Sequence, residues 1–108
     1  MATTKGQVRK ALMKGDSLEN LVCFYQDYKG ADVRHEKNPP PVKLCMGSEL
    51  PVREFRDGLG GPEGEPCICF SKRFVYIKVR YDGAEWVEAI PRHPEQVGKS
   101  IPWPGGGG

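Results

Sequence analysis

The stretch FSKRFVYIKVRYDGAEWVEAIPR, residues 70–92, constrains this chain more than any other. Two runs rich in β-branched and aromatic residues flank Asp82-Gly83, a dipeptide that favours tight reversal between antiparallel strands. The pattern predicts strands over 74–81 and 85–90. A two-residue turn would set Ile77 opposite Glu88 and place an acid among apolar side chains. A three-residue loop, 82–84, with a glycine bulge separates the faces more cleanly. It pairs Val79 with Val87, Ile77 with Ala89, Lys78 with Glu88 and Arg80 with Trp86. The face predicted to be buried then carries Val75, Ile77, Val79, Val87 and Ala89. The opposite face carries Phe74, Tyr76, Lys78, Arg80, Trp86 and Ile90, and is a candidate contact surface. Cross-strand pairs contribute a few tenths to about 1 kcal/mol each. Burying Glu88 by a one-residue slip costs more than that.

Upstream, Thr4-x-x-Gln7 has the form of a capping box, and Val8, Ala11 and Leu12 follow at helical spacing. A helix is predicted over about 5–14. Residues 17–29 are read as a second helix, with Leu18, Leu21, Val22 and Tyr25 on one face and Gly30 as its stop. The run Leu21–Tyr25 is also rich in strand formers, so a strand is the alternative. Pro39-Pro40-Pro41 marks an extended loop. Further expectations are a short strand at 42–46, a short helix near 49–57 capped by Ser48, a glycine loop at 58–64 and a strand at 66–70.

These pieces predict an α+β fold. An antiparallel sheet of three to five strands ends in the hairpin. One or two N-terminal helices and the short middle helix pack on it. Residues 1–104 are expected to form one domain and 105–108 a flexible glycine tail. A winged helix-turn-helix is the structural rival, with 5–14 and 17–29 as its helices. Its recognition helix would present Glu19, Asn20, Gln26 and Asp27, which do not suit phosphate.

Charge narrows the partners. Sixteen basic and 14 acidic residues give +2, too balanced to imply nucleic acid or an anionic membrane. No run of about 18 apolar residues suggests a membrane span, and the N-terminus lacks an apolar signal core. A cytoplasmic location is expected, with the four cysteines as reduced thiols.

Cys23, Cys45, Cys67 and Cys69 invite a zinc reading, but one C-x-C and two isolated cysteines do not form paired C-x-x-C knuckles. They are read as small core hydrophobes, and no metal or cofactor is expected. The 58–64 loop lacks the Gly-Lys-Ser/Thr of a phosphate cradle. His35-Glu36 and His93-Pro94-Glu95 set histidine beside carboxylate without a nucleophile in view. Trp103, between two prolines, is a candidate docking anchor.

The residues therefore favour a small non-enzymatic binding module, a protein-binding adaptor or inhibitor of accessory type. Tyr76, Lys78, Arg80 and Trp86 would meet the partner, since Trp, Tyr and Arg dominate interface hot spots. The alternative is a single-stranded nucleic-acid binder. There Phe74 and Tyr76 stack bases while Lys72, Arg73, Lys78 and Arg80 neutralise phosphates. A small enzyme without a readable motif is the third reading.

Overall fold

Helix α1, Thr4–Ala11, begins where Thr3 turns extended and its hydroxyl accepts the Gly6 amide at 2.9 Å. The cap is thus Thr3, one residue before the expected box. That frees Thr4 and Gln7 to point into the protein, where both are buried. The computed structural model describes residues 1–30, 33–58 and 63–99. Trp103, the glycine tail and residues 59–62 of the glycine loop lie outside them.

Five strands follow: β1 (Val22–Tyr25), β2 (Lys43–Met46), β3 (Cys67–Phe70), β4 (Phe74–Tyr81) and β5 (Ala84–Pro91). They form one antiparallel sheet in the order β2-β1-β3-β4-β5. The fold is α+β with a C-terminal hairpin, as expected. The second helix is corrected to a 3-10 turn at Leu18–Asn20 followed by β1. Strand propensity at Val22–Tyr25 prevails because β2 and β3 flank the segment on both sides. This also removes the recognition helix that a winged helix-turn-helix needs. The middle helix shrinks to a 3-10 turn at Gly47–Glu49. Beyond it the chain runs extended, and Phe55 exchanges backbone hydrogen bonds of 2.8 Å with Ala2.

The hairpin register is the main correction. Asp82 and Gly83 have φ of 48° and 85°, the positive pair that a two-residue type I′ turn requires. Ile77 therefore faces Glu88, Lys78 faces Val87 and Val79 faces Trp86. The expected bulged loop does not form, and the acid that argued for it is not buried. Glu88 is half-buried and accepts the Trp86 indole N–H at 2.8 Å.

Along β4 the core lies on the face opposite to the expected one, while Val87 and Ala89 of β5 face it as expected. Val8, Leu18, Leu21, Cys23, Leu50, Cys69, Tyr76 and Val87 form its cluster, between the sheet and α1. Tyr76 is wholly buried. Its hydroxyl donates to Asp16 Oδ2 at 2.6 Å and accepts the Met13 amide at 3.0 Å, which ties the chain after α1 to the sheet. Burial, with the Asp16 bond, pushes the Tyr76 phenol well above its usual range. Tyr76→Phe is expected to cost about 1–2 kcal/mol, because the Met13 N–H loses its acceptor. A urea titration should show a lower midpoint at constant slope; an unmoved midpoint would show that the hydroxyl carries nothing.

Both sheet edges carry partners. At the β2 edge, the Met46 amide donates to Glu49 Oε1 at 3.0 Å. At the β5 edge, the Glu85 amide donates to the Asp57 carbonyl at 3.0 Å and the Glu85 carbonyl accepts from Gln7 at 3.1 Å. Pro91, at the end of β5, has no N–H to offer.

Candidate functional site

Strand alternation sorts the sheet into two faces. One carries Cys23, Cys45, Cys67, Cys69, Phe74, Tyr76, Lys78, Glu85, Val87 and Ala89, and packs against α1 and the chain around Leu50. The other is open. From edge to edge the register aligns Leu44 and Met46, Val22 and Phe24, Ile68 and Phe70, Val75 and Ile77, then Glu88 and Ile90. Val79 and Trp86 continue it toward the hairpin turn. Leu44 is 66% exposed, Val22 42% and Ile68 36%. Phe24 and Phe70 meet edge to face at 6.0 Å. Val79 is nearly closed off beside Trp86.

This open face is almost free of charge. Its strand positions include one ionisable acid, Glu88, already engaged by Trp86, and no lysine or arginine. At one end it runs into a groove of about 210 Å³ lined by Phe24, Tyr25, Gln26, Val42, Pro66, Cys67 and Ile68. Val42 stands 62% exposed at its rim.

The residues expected to form one contact surface are divided between the two faces. Tyr76 is core. Trp86 and Ile90 lie on the open face, opposite Phe74, Tyr76 and Lys78. Arg80 is exposed near the hairpin turn. Lys72 and Arg73 form the exposed turn between β3 and β4, where the Ser71 hydroxyl accepts the Arg73 and Phe74 amides. Arg73 and Arg80 sit seven residues apart along β4, about 23 Å at 3.3 Å per residue. Phe74, Tyr76, Lys78 and Arg80 do alternate along β4 onto one face, but it is the core face, where Tyr76 is buried and Lys78 is engaged with Glu85, so they form no exposed platform.

Lys78 serves a different arrangement. Its ammonium donates to Glu85 Oε2 at 2.9 Å, to Thr4 Oγ1 at 3.2 Å and to Gln7 Oε1, and sits 5.0 Å from the centre of the Phe55 ring. Glu85 Oε1 accepts the Glu63 and Gly64 amides at 2.7 and 3.0 Å. Thr4 donates to Glu65, which also pairs with Arg53 at 3.0 Å. Every strong donor and acceptor here has a partner within the protein. The network clasps α1, the chain before β3 and the hairpin together.

The cysteines are all free thiols on the core face. Burial pushes the Cys45 thiol up to about 11. Among the described residues, no three of histidine, cysteine, aspartate and glutamate come together to hold a metal ion. No helix among them is long and apolar enough to cross a membrane.

Comparison with protein-family models, with curated proteins and with solved structures returned no significant match. The functional reading therefore rests on geometry and chemistry alone.

The open face was missed because Val75, Ile77 and Val79 look like core positions. The cysteines held the missing signal. Cys67 and Cys69 alternate onto one face, and free cysteine is among the most buried residue types. Their spacing marks that face as the interior one.

Proposed function

We propose that this chain is a non-enzymatic protein-binding module, an adaptor or inhibitor, that docks a partner protein on its open sheet face. The observation that carries the reading is the face itself: a broad run of apolar side chains with Glu88 as the one charge at its strand positions and no lysine or arginine there. Exposed apolar areas of this kind favour contact with proteins. Phosphate recognition needs cations on the face, so the partner that fits is a protein with a complementary apolar patch. The groove beside Phe24 and Ile68 would take an anchoring apolar side chain, with Leu44, Met46 and Trp86 around it. The contact residues in this reading shift from Tyr76, Lys78 and Arg80 to Val22, Phe24, Leu44, Ile68 and Trp86.

The test is a photo-crosslinking amino acid at position 68, with position 10 on α1 as the control, in cells that make the protein. A discrete protein adduct at 68 and none at 10 is expected. The captured protein, purified, should bind the wild type and lose at least tenfold in affinity toward Leu44→Glu/Ile68→Glu. That variant should melt within about 0.5 kcal/mol of the wild type, as exposed substitutions do. Equal binding by the variant would defeat the proposal. So would salt-sensitive binding to oligonucleotides in place of protein, or a self-association that Ile68→Glu abolishes.

A further inference from the structure

The cysteines are placed by the strand register in a way that their sequence spacing conceals. Between β1 and β3, the Gln26 amide donates to the Pro66 carbonyl at 3.2 Å. That bond fixes the phase of the ladder. Counting by twos from it, Phe24–Ile68 and Val22–Phe70 are hydrogen-bonded pairs. Cys23–Cys69 falls between them as an unbonded pair. Unbonded antiparallel pairs bring their Cα atoms to about 4.5 Å with the side chains closest together. That separation is inside the disulfide range.

On the other side of β1 the phase is opposite. The Gly47 amide donates to the Leu21 carbonyl at 3.1 Å, so Cys23–Cys45 is a hydrogen-bonded pair. Its Cα atoms are expected about 5.5 Å apart, with the side chains held farther from each other. Cys23 thus has a cysteine across each flank, and only Cys69 stands at the close spacing. Cys67 is two residues from Cys69 along one strand, where a bridge would be strained.

We propose that Cys23 and Cys69 are an oxidisable pair that closes into a cross-strand disulfide when the protein meets a peroxide. One thiolate attacks a peroxide oxygen and breaks the O–O bond, giving a sulfenic acid and hydroxide. The second thiolate attacks the sulfenic sulfur and displaces a second hydroxide as the S–S bond forms. The two thiol protons convert both hydroxides to water. Two electrons leave the sulfurs and reduce one hydrogen peroxide. Both side chains are wholly buried, so the reaction is slower than at a surface thiol. The product is a covalent tie between β1 and β3, in the middle of the sheet, that a thiol reductant reopens. The hydrogen bonds to Cys23 and Cys67, with burial, raise the Cys69 thiol as burial raises that of Cys45, so the close register and not thiol acidity selects the pair.

The experiment treats the folded wild-type protein with hydrogen peroxide, unfolds it in urea and alkylates it. Four labels are expected before oxidation, one on each cysteine, and two after it. The unlabelled pair should be Cys23 and Cys69 by peptide mapping, with an intact mass lower by two hydrogen atoms before alkylation. Cys45→Ser/Cys67→Ser should form the same crosslink and melt at a higher temperature when oxidised. Cys23→Ala should keep its remaining thiols free. If that variant does not fold, the wild-type map decides alone. A disulfide that joins Cys23 to Cys45, or oxidation confined to Cys45 and Cys67, would overturn the proposal. So would four retained labels after a peroxide dose that oxidises the same protein in urea.

Discussion

Lys78→Met is expected to destabilise the protein by about 3–5 kcal/mol, because it strands Glu85 as an unpaired buried charge. Against a total of about 5–15 kcal/mol for a domain, that is a large share. The Glu85 side chain is only 4% exposed and that of Lys78 16%, so water cannot replace the lost partner. Thr4 and Gln7 lose a donor at the same point. Lys78→Met combined with Glu85→Gln should recover part of the loss. A glutamine oxygen still accepts the Glu63 and Gly64 amides while carrying no charge. Urea unfolding followed by tryptophan fluorescence measures both variants. A single variant within about 1 kcal/mol of the wild type would show that this pair contributes little.

The same clasp makes stability fall in acid. Burial raises the Glu85 carboxyl, but the Gly64 amide, Lys78 and the Glu63 amide together outweigh it and hold the group below its usual value. A carboxyl depressed in the folded state stabilises fully above its unfolded pKa, about 4.3. That contribution drains away as pH falls through the lower folded value. The stability gap between wild type and Glu85→Gln should therefore be widest near neutral pH and narrow below about pH 4. A gap that stays constant across thermal melts from neutral to strongly acidic pH would refute the assignment.

Gly47→Ala is the second large effect. A Cβ at this position would lie 2.5 Å from the Leu18 carbonyl oxygen and 3.1 Å from the Leu18 Cα. Both are backbone atoms and cannot rotate aside, so the two 3-10 turns must separate. Leu18, Leu21 and Leu50 sit at this corner of the core. The Gly47 amide also fixes β2 to β1 through Leu21. We expect a loss of about 3 kcal/mol, at the upper end for overpacking. Ala at Gly58, where a Cβ meets nothing within 4 Å, is the matched control. Equal melting temperatures for the two variants would show that the turns can part without cost.

Much of the fold was legible in the residues. Periodicity and capping residues marked α1, and strand formers bounded by turn residues marked β2, β3 and the hairpin. The face assignment was not legible, and the reason is physical. A buried Lys78–Glu85 pair makes the interior face look polar, while the open face spends Val75, Ile77 and Val79 where a core would. Hydrophobicity alone therefore inverts the two faces of β4, while those of β5 fall as expected. Asp82-Gly83 suits the two-residue turn that forms, and Glu88 is tolerated opposite Ile77 because that face is not the interior one. The contact residues were displaced by the same inversion. Only Trp86, of the four expected, lies on the face that now fits a partner.

The closed edges set how copies of this molecule can meet. Glu49 occupies one outward amide of β2, Asp57 and Gln7 occupy the outward groups of Glu85, and Pro91 offers none. A sheet finished in this way resists lengthening strand by strand into ribbons. Its flat side is the broader surface left for contact. Concentrated protein should therefore stay free of fibres, and Glu49→Ala is the change that would begin to open the fibrous route.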